Sequence, residues 1–267
     1  MLFFSEQLPH PVLRSLLGPV LLIQAGRVRR TALRLPEARG PRLGLEGQHH
    51  APAPLIRLMV LGDSSAAGVG VPCQTQALAM PAARALSTAL SRPVGWQLLA
   101  RTGVSTSEAL QMMASERVCQ ADAALIALGV NDVTGQRSPA AFRRDTENLL
   151  ETLSLRYGVR VSVLTAIPPM HRFPVIPQPL RWYLGACARR LDEELRRLCA
   201  ADPTRHVLGL DWADTTRADA IAEDGYHPGP SHYAQWASQS GRLLGTILAD
   251  HVGGFLGKHH CSGVGVA

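Results

Sequence analysis

The residue with the clearest potential for chemistry is Ser64, which follows the apolar run of residues 58–62 by two positions. A serine hydroxyl is a weak nucleophile at neutral pH, and it needs a base within hydrogen-bonding reach and a third group that orients the base. Residues 224–228 (DGYHP) offer both. His227 could take the Ser64 proton while Asp224 accepts a hydrogen bond from the other imidazole nitrogen. We therefore interpret Ser64, Asp224 and His227 as a candidate catalytic triad.

Acyl transfer also requires hydrogen-bond donors directed at the oxyanion that develops on the substrate. Three donors are candidates: the backbone N–H of Ser64, the backbone N–H of Gly103 and the side-chain amide of Asn131. Gly103 has no side chain to block the approach of a substrate, and Asn131 lies in the stretch 129–132 (GVND). Each of these residues, taken alone, could serve only a turn or a helix cap. Together they predict an oxyanion hole.

Alternating apolar strands and helices must position these residues. We expect strands over residues 56–61, 94–100, 123–128, 159–165 and 206–210, and helices over residues 76–90, 105–117, 139–157, 180–201 and 231–251. Strands that are apolar throughout and alternate with helices favour a parallel sheet covered on both faces. Sites in such sheets form beyond the carboxyl ends of the strands. Ser64, Gly103 and Asn131 each follow one of these strands, and residues 224–228 follow the last.

These stretches resemble a known family. Residues 62–64 (GDS), Gly103, residues 129–132 and residues 224–228 are similar, in order, to the four sequence blocks of the SGNH hydrolases, also called GDSL-type hydrolases. The resemblance extends from about residue 58 to residue 228 and leaves residues 1–55 uncovered. The chain departs from the name motif at Ser65, where the family often has leucine.

The resemblance implies both a fold and roles for the candidate residues. The implied fold is a flavodoxin-like three-layer α/β/α sandwich, here with a five-stranded parallel sheet. Ser64 is implied as the nucleophile, His227 as the base and Asp224 as its orienting partner. Gly103 and Asn131 are implied, with Ser64, in the oxyanion hole.

Neither a cofactor nor a metal ion is expected. The loop of residues 65–70 lacks the glycine and Gly-Lys-Ser/Thr patterns of nucleotide-binding loops. The pairs His49–His50 and His259–His260 are interpreted as solvated side chains, since each lies in a Gly-rich or Pro-rich stretch rather than among further ligands.

Residues 1–54 are interpreted as an N-terminal region that precedes a hydrolase domain at 55–252 and a flexible Gly-rich tail at 253–267. Residues 12–23 are apolar but include Arg14 and a Gly-Pro break, and they are too few to span a bilayer. The positive cluster follows this run, whereas a secretory signal begins with one. We expect an apolar helix that packs on the main domain or lies on a membrane surface, followed by a basic Pro- and Gly-rich linker or arm.

Charge and cysteine content suggest partners and a compartment. Residues 1–60 contain eight arginines and three acidic residues and so carry most of the net charge of +6. This arm is interpreted as a solvated segment with at most a weak contact to a membrane surface, and no nucleic-acid partner is expected. The five cysteines are widely spaced and lack a CxxC motif, which favours reduced thiols. A cytoplasmic protein, at most peripheral to the membrane, is expected.

The segment of residues 167–182 follows the fourth strand, at the same edge as the candidate triad, and contains five prolines. We hypothesise that its Met170, Phe173 and Trp182 form one wall of an acyl pocket. The alternative is a rigid loop that packs on its own helix.

The expected activity is hydrolysis of carboxylic esters of short- to medium-chain acyl or aryl groups, through an acyl-enzyme on Ser64. A lysophospholipase, a thioesterase, a carbohydrate acetyl esterase or an acyltransferase could use the same three residues. Outside the enzymes, the alternative is a binding module that has lost catalysis, although the complete set of five site residues argues against it.

Overall fold

A computed structural model describes residues 10–47, 55–212 and 219–256. The strands are β1 (Leu43–Glu46), β2 (Ile56–Gly62), β3 (Val94–Ala100), β4 (Ala123–Ala127), β5 (Val161–Thr165) and β6 (Arg205–Leu208). The helices are α1 (His10–Thr31), α2 (Ala79–Leu90), α3 (Thr106–Ser115), α4 (Val130–Thr134), α5 (Pro139–Tyr157), α6 (Leu180–Ala200) and α7 (Pro230–Leu256), and a 3₁₀ turn spans Met170–Arg172.

The strands form one sheet in the order β1-β3-β2-β4-β5-β6. Strands β2 to β6 are parallel, and β1 pairs antiparallel with the outer side of β3. The central strands β4 and β5 are buried along their whole length. This burial explains why β4 is apolar at every position and why β5 is apolar except at Ser162 and Thr165.

Two hydrophobic cores flank the sheet, because alternate residues of each strand point to opposite faces. Met59 and Leu61 of β2 belong to the core on the side of α3, α5 and α6. Leu58 and Val60 belong to the core beneath α2 and α7. The three-layer α/β fold expected from the sequence is therefore confirmed.

Helices α2 and α7 approach closely, and Gly241 of α7 permits the approach. A Cβ at this position would lie 2.7 Å from the Leu86 nitrogen and 2.8 Å from the Ala82 oxygen. Both atoms are backbone atoms of α2, so a side chain here would force the two helices apart.

The five parallel strands expected from the sequence are present, and a sixth strand that was not expected, β1, pairs antiparallel at the edge. Strand β1 lies within residues 31–54, which we had interpreted as a linker or arm. It is short, and its Leu43 and Leu45 are exposed, so it lacks the apolar continuity of the other strands. Only Glu46 is buried, where its carboxylate accepts a hydrogen bond from Arg84 Nε at 3.0 Å.

The ends of the chain also differ from expectation. Helix α1 extends from His10 to Thr31, and none of the described helices is long and apolar enough to cross a membrane. Helix α7 continues to Leu256, so the first four residues assigned to the flexible tail are helical. His49–His50 and His259–His260 lie outside the described residues.

Candidate active site

Ser64 lies in the turn that follows β2, at the carboxyl edge of the sheet. Gly62 ends the strand in close contact with β4: a Cβ on it would lie 2.5 Å from the Ala127 oxygen. The N–H of Asp63 donates to that same oxygen at 3.1 Å. The Asp63 carboxylate then accepts the N–H of Ser65 at 3.0 Å. These contacts fix the backbone on both sides of Ser64.

His227 connects Ser64 to Asp224. Its Nε2 lies 2.8 Å from the Ser64 Oγ, and its Nδ1 lies 2.6 Å from the Asp224 Oδ2. The other Asp224 oxygen accepts the N–H of Tyr226 at 2.9 Å and the N–H of His227 at 3.1 Å. Burial alone would raise the pKa of Asp224, but the hydrogen bonds from His227 and these N–H groups outweigh burial and lower it. Asp224 is therefore a carboxylate at neutral pH.

Gly225 shapes the loop that carries Asp224 and His227. Its φ is +74°, in the left-handed region, and a Cβ on it would overlap the Val175 side chain. The loop is closed by the Ala222 N–H, which donates to the His227 oxygen at 2.9 Å. Glycine is thus required here both by the backbone conformation and by the space.

The three residues predicted to supply oxyanion donors, Ser64, Gly103 and Asn131, line one cavity. Within the described part of the chain, the N–H groups of Ser64 and Gly103 donate no hydrogen bond. Gly103 has a φ of +85°, and no heavy atom lies within 4 Å of its Cβ position. The Asn131 Nδ2 donates to Asp63 Oδ2 at 3.1 Å and to Val104 O at 3.0 Å. Asn131 must therefore exchange one of these acceptors to bind a substrate oxygen.

Two carboxylates near these donors were not assigned to the site from the sequence. Asp63, which we expected only to hold the turn, also accepts the Asn131 amide, and burial raises its pKa to about 6. Glu37 accepts both the N–H and the hydroxyl of Thr102 at 2.8 Å, and Thr102 immediately precedes Gly103. Both contacts link residues 65 or more positions apart, so no local sequence pattern reveals them.

An apolar cavity of about 320 Å³ opens beside Ser64. Met170 and Phe173 line it. Trp182 does not line it, and that part of the hypothesis was wrong. Leu180 and Leu184 point inward from the same helix, whereas Trp182, about 200° around the helix from Leu180, is 45% exposed.

Several further residues of the cavity come from distant parts of the chain. They are Val28, Ile176, Leu180, Leu184, Tyr226 and Trp236. Val28 belongs to α1, so the N-terminal helix contributes to the cavity wall. Among residues 10–47, 55–212 and 219–256, no group of three or more His, Cys, Asp or Glu side chains is placed to hold a metal ion.

The chain matches the model of a known protein family. Residues 60–235 match the family model of the GDSL-like lipases and acylhydrolases, which is more than half of the chain. The chain belongs to this family. The family membership expected from the four sequence blocks is therefore confirmed, and the GDSL-type protein is an acylhydrolase.

Solved structures show the same fold. The lipase Lip_vut3 from a goat rumen metagenome aligns with a TM-score of 0.53 and 18% identity, over 72% of this chain and 98% of that one. A GDSL-family lipolytic protein from Veillonella parvula aligns with a TM-score of 0.53 and 15% identity, over 72% and 98%. A lipase/acylhydrolase from Enterococcus faecalis gives 0.50 and 19%, over 75% and 96%. No curated protein matches the sequence.

Proposed function

We propose that this GDSL-type acylhydrolase is a serine esterase that cleaves carboxylic esters of short- to medium-chain acyl or aryl groups. The observation that carries the proposal is the continuous hydrogen-bond chain from Ser64 Oγ through His227 to Asp224, at distances of 2.8 Å and 2.6 Å. It lies at an apolar cavity. A nucleophile, a base and an orienting carboxylate in this order are what acyl transfer to a serine requires.

In this mechanism the Ser64 oxygen attacks the acyl carbon while its proton passes to His227 Nε2. Asp224 stabilises the imidazolium that forms, because its carboxylate accepts the Nδ1 proton. The N–H groups of Ser64 and Gly103, with the Asn131 amide, donate to the oxyanion. His227 then protonates the leaving alkoxide, and the acyl-enzyme remains. A water molecule that gives its proton to His227 attacks the acyl carbon, and the acid leaves as Ser64 is regenerated.

The cavity supports an alkyl or aryl acyl group. Its walls are formed by Met170, Phe173 and the apolar residues around them. Each methylene that moves from water into such a site contributes about 0.8 kcal/mol to binding. A lysophospholipid, a thioester or acyl transfer to an acceptor other than water would use the same residues and differ only in the leaving group or acceptor.

The test is hydrolysis of a chromogenic ester series, from acetyl to palmitoyl, by the wild type and Ser64→Ala. We expect turnover by the wild type and a loss of about 10⁴-fold or more in kcat for Ser64→Ala, because the nucleophile is absent. Ser65→Ala is the matched control: it removes the neighbouring hydroxyl and should retain activity within about tenfold.

A fluorophosphonate probe separates the remaining possibilities. Labelling of Ser64 without hydrolysis of any ester in the series would mean that the nucleophile is active but that the substrate class is wrong. Absence of both hydrolysis and labelling would contradict the proposed esterase activity and favour a binding module that has lost catalysis.

A further inference from the structure

The inward face of helix α1 forms part of the active-site cavity. Leu17, Leu21, Ala25 and Val28 recur at intervals of three or four residues and pack against the core on the side of α6. Leu21 is only 6% exposed, and Val28 lines the cavity. The helix therefore lies over the site that binds the acyl group.

Gln24 fixes the position of α1 on the cavity wall. Its Nε2 donates to the Gln178 oxygen at 2.7 Å, and its Oε1 accepts the N–H of Leu180 at 3.1 Å. Leu180 itself lines the cavity. The inward face of α1 thus has both apolar and polar partners.

The outward face of the same helix is apolar, and it has no such partners among the described residues. Leu22 is 75% exposed, Ile23 is 70% exposed and Val20 is 45% exposed. Leu22 and Ile23 are neighbouring large side chains on a helix that already buries its opposite face. Neighbouring apolar side chains that are this exposed are typical of a surface that binds a protein partner or a membrane.

Arginines follow this apolar patch on the same helix. Arg27, Arg29 and Arg30 are exposed, and none has an ion-pair partner among the described residues. From Leu22 to Arg29 the helix rises by about 10 Å. The outward surface of α1 is therefore apolar at one end and basic at the other, which is the combination found on helices that lie on anionic membrane surfaces.

Two further apolar side chains are exposed close to the cavity. Trp182 lies in the first turn of α6, next to the segment that Gln24 binds. Val175 packs against Gly225, in the loop that carries Asp224 and His227. Exposed apolar side chains therefore occur beside the loop of the reactive groups as well as on α1.

We infer that the outward face of α1 docks the enzyme on anionic phospholipid surfaces, with Leu22 and Ile23 in the acyl boundary and the arginines at the phosphates. The cavity beneath α1 then receives its ester from the lipid layer. This inference rests on the proposed esterase activity and names its substrate class, a lipid ester presented at a membrane surface.

The charge decides between a membrane and a second copy of the chain. A second copy paired through this face would offer Arg27, Arg29 and Arg30 no carboxylate from its own α1, because residues 10–31 contain neither Asp nor Glu. An anionic bilayer satisfies both parts of the surface, since its acyl layer accepts the leucine and isoleucine and its phosphates accept the guanidinium groups.

The experiment is sedimentation of the full chain with vesicles of phosphatidylcholine alone and of phosphatidylcholine and phosphatidylglycerol in equal parts. We expect binding to the anionic vesicles. Arg27→Gln/Arg29→Gln/Arg30→Gln should weaken it about a hundredfold, near fivefold per arginine. Leu22→Gln/Ile23→Gln should weaken it about tenfold or more, and glutamine keeps the helix propensity.

Leu155→Gln/Arg156→Gln is the matched control. It removes one exposed leucine, 84% exposed, and one exposed arginine from α5. This variant should bind vesicles as the wild type does. All the variants should hydrolyse a water-soluble acetyl ester at the wild-type rate, because none of the substituted side chains lines the cavity.

The outcomes separate docking from catalysis. Equal binding of the Leu22→Gln/Ile23→Gln variant and the wild type would overturn the docking inference. A wild-type dimer that this variant dissociates, without vesicle binding, would also overturn it. Vesicle binding by the wild type that the variants lose, with no hydrolysis of any ester, would support the docking and overturn the proposed function instead.

Discussion

Asp63 accepts hydrogen bonds with both carboxylate oxygens, one from the N–H of Ser65 and the other from the Asn131 amide. It therefore positions two groups of the candidate site at once. In Asp63→Asn, one of these donors must face an NH₂ group, because an amide has a single acceptor oxygen. If Asn131 donates to the oxyanion, kcat should fall by about 10²–10³-fold with little change in KM. Steady-state kinetics on a soluble ester measures this split.

Asp132→Asn is the control for that variant. Asp132 is also buried, and burial raises its pKa, but a single oxygen accepts both hydrogen bonds from Thr106, at 3.0 Å and 2.8 Å. Its other oxygen has no partner among the described residues. An asparagine can keep both bonds, so activity should stay near wild type. Equal losses in the two variants would indicate a general packing defect and contradict a positioning role for Asp63.

The residues of the candidate site were predictable wherever a local pattern contained them. Ser64, Gly103 and Asn131 each follow an apolar strand, and Asp224 and His227 share one short loop. The structure brings all five around one cavity or its hydrogen-bond chain. Asp63–Asn131 and Glu37–Thr102 could not be predicted, because each contact depends on how distant loops pack after the sheet has formed.

Among the strands, those with both faces buried could be predicted from the sequence, and the exposed edge strand could not. Strands β2 to β5 are apolar almost throughout because helices cover both faces of the sheet, and this pattern is visible in the sequence. Strand β1 lies at an edge, pairs on one side only and exposes its leucines, so its sequence resembles a loop. The boundary of α7 was missed because Gly253 and Gly254 are helical despite their low propensity.

The segment between β5 and α6 gives a prediction about acyl length. Met170 and Phe173 are buried and line the cavity. The double variant Met170→Val/Phe173→Leu removes side-chain volume there, at a cost of about 1 kcal/mol of folding stability for each substitution. We expect the preferred acyl chain to become longer by two or more carbons, because space opens in the cavity. The ester series from acetyl to palmitoyl measures the shift.

Trp182→Ala tests whether the change in preferred acyl length requires substitutions that line the cavity or follows from any substitution in this segment. It removes a larger side chain from the same segment, but outside the cavity. Its chain-length profile on soluble esters should match that of the wild type. An unchanged profile in the Met170/Phe173 double variant would contradict the assignment of this segment as a pocket wall.

One cluster of ion pairs lies at the edge of the sheet opposite the candidate site. Ser64, Asn131 and Asp224 lie at the carboxyl edge. At the opposite edge, just before β4, Asp122 accepts hydrogen bonds from the Arg57 Nε and Nη2 at 3.2 Å and 3.1 Å and from the Arg160 Nη2 at 3.0 Å. Its carboxylate therefore connects the beginnings of three neighbouring strands, far from the cavity. Changes at this edge should alter stability without altering turnover.

Asp122→Asn tests that separation through pH. Burial alone would raise the pKa of Asp122, but the hydrogen bonds and charge of Arg57, with Arg160, outweigh burial and lower it. Since the folded-state pKa lies below the unfolded value, the carboxylate stabilises the fold above about pH 4 and loses this contribution as the pH falls through the folded-state pKa. The variant should unfold about 1–2 kcal/mol more easily at pH 7, and the difference should shrink toward pH 3.

Urea unfolding of the wild type and Asp122→Asn from pH 7 to pH 3 measures this difference, and ester hydrolysis at pH 7 should be the same for both. Glu151→Gln is the control, since Glu151 is exposed and has no ion-pair partner among the described residues. It should match the wild type at every pH. If the difference in unfolding free energy between the wild type and Asp122→Asn stays constant with pH, the shape of the side chain rather than its charge is responsible. A loss of turnover would mean that the amino edge of the sheet is coupled to the site, because the strands that begin at Asp122 and Arg57 end beside Asn131 and Ser64.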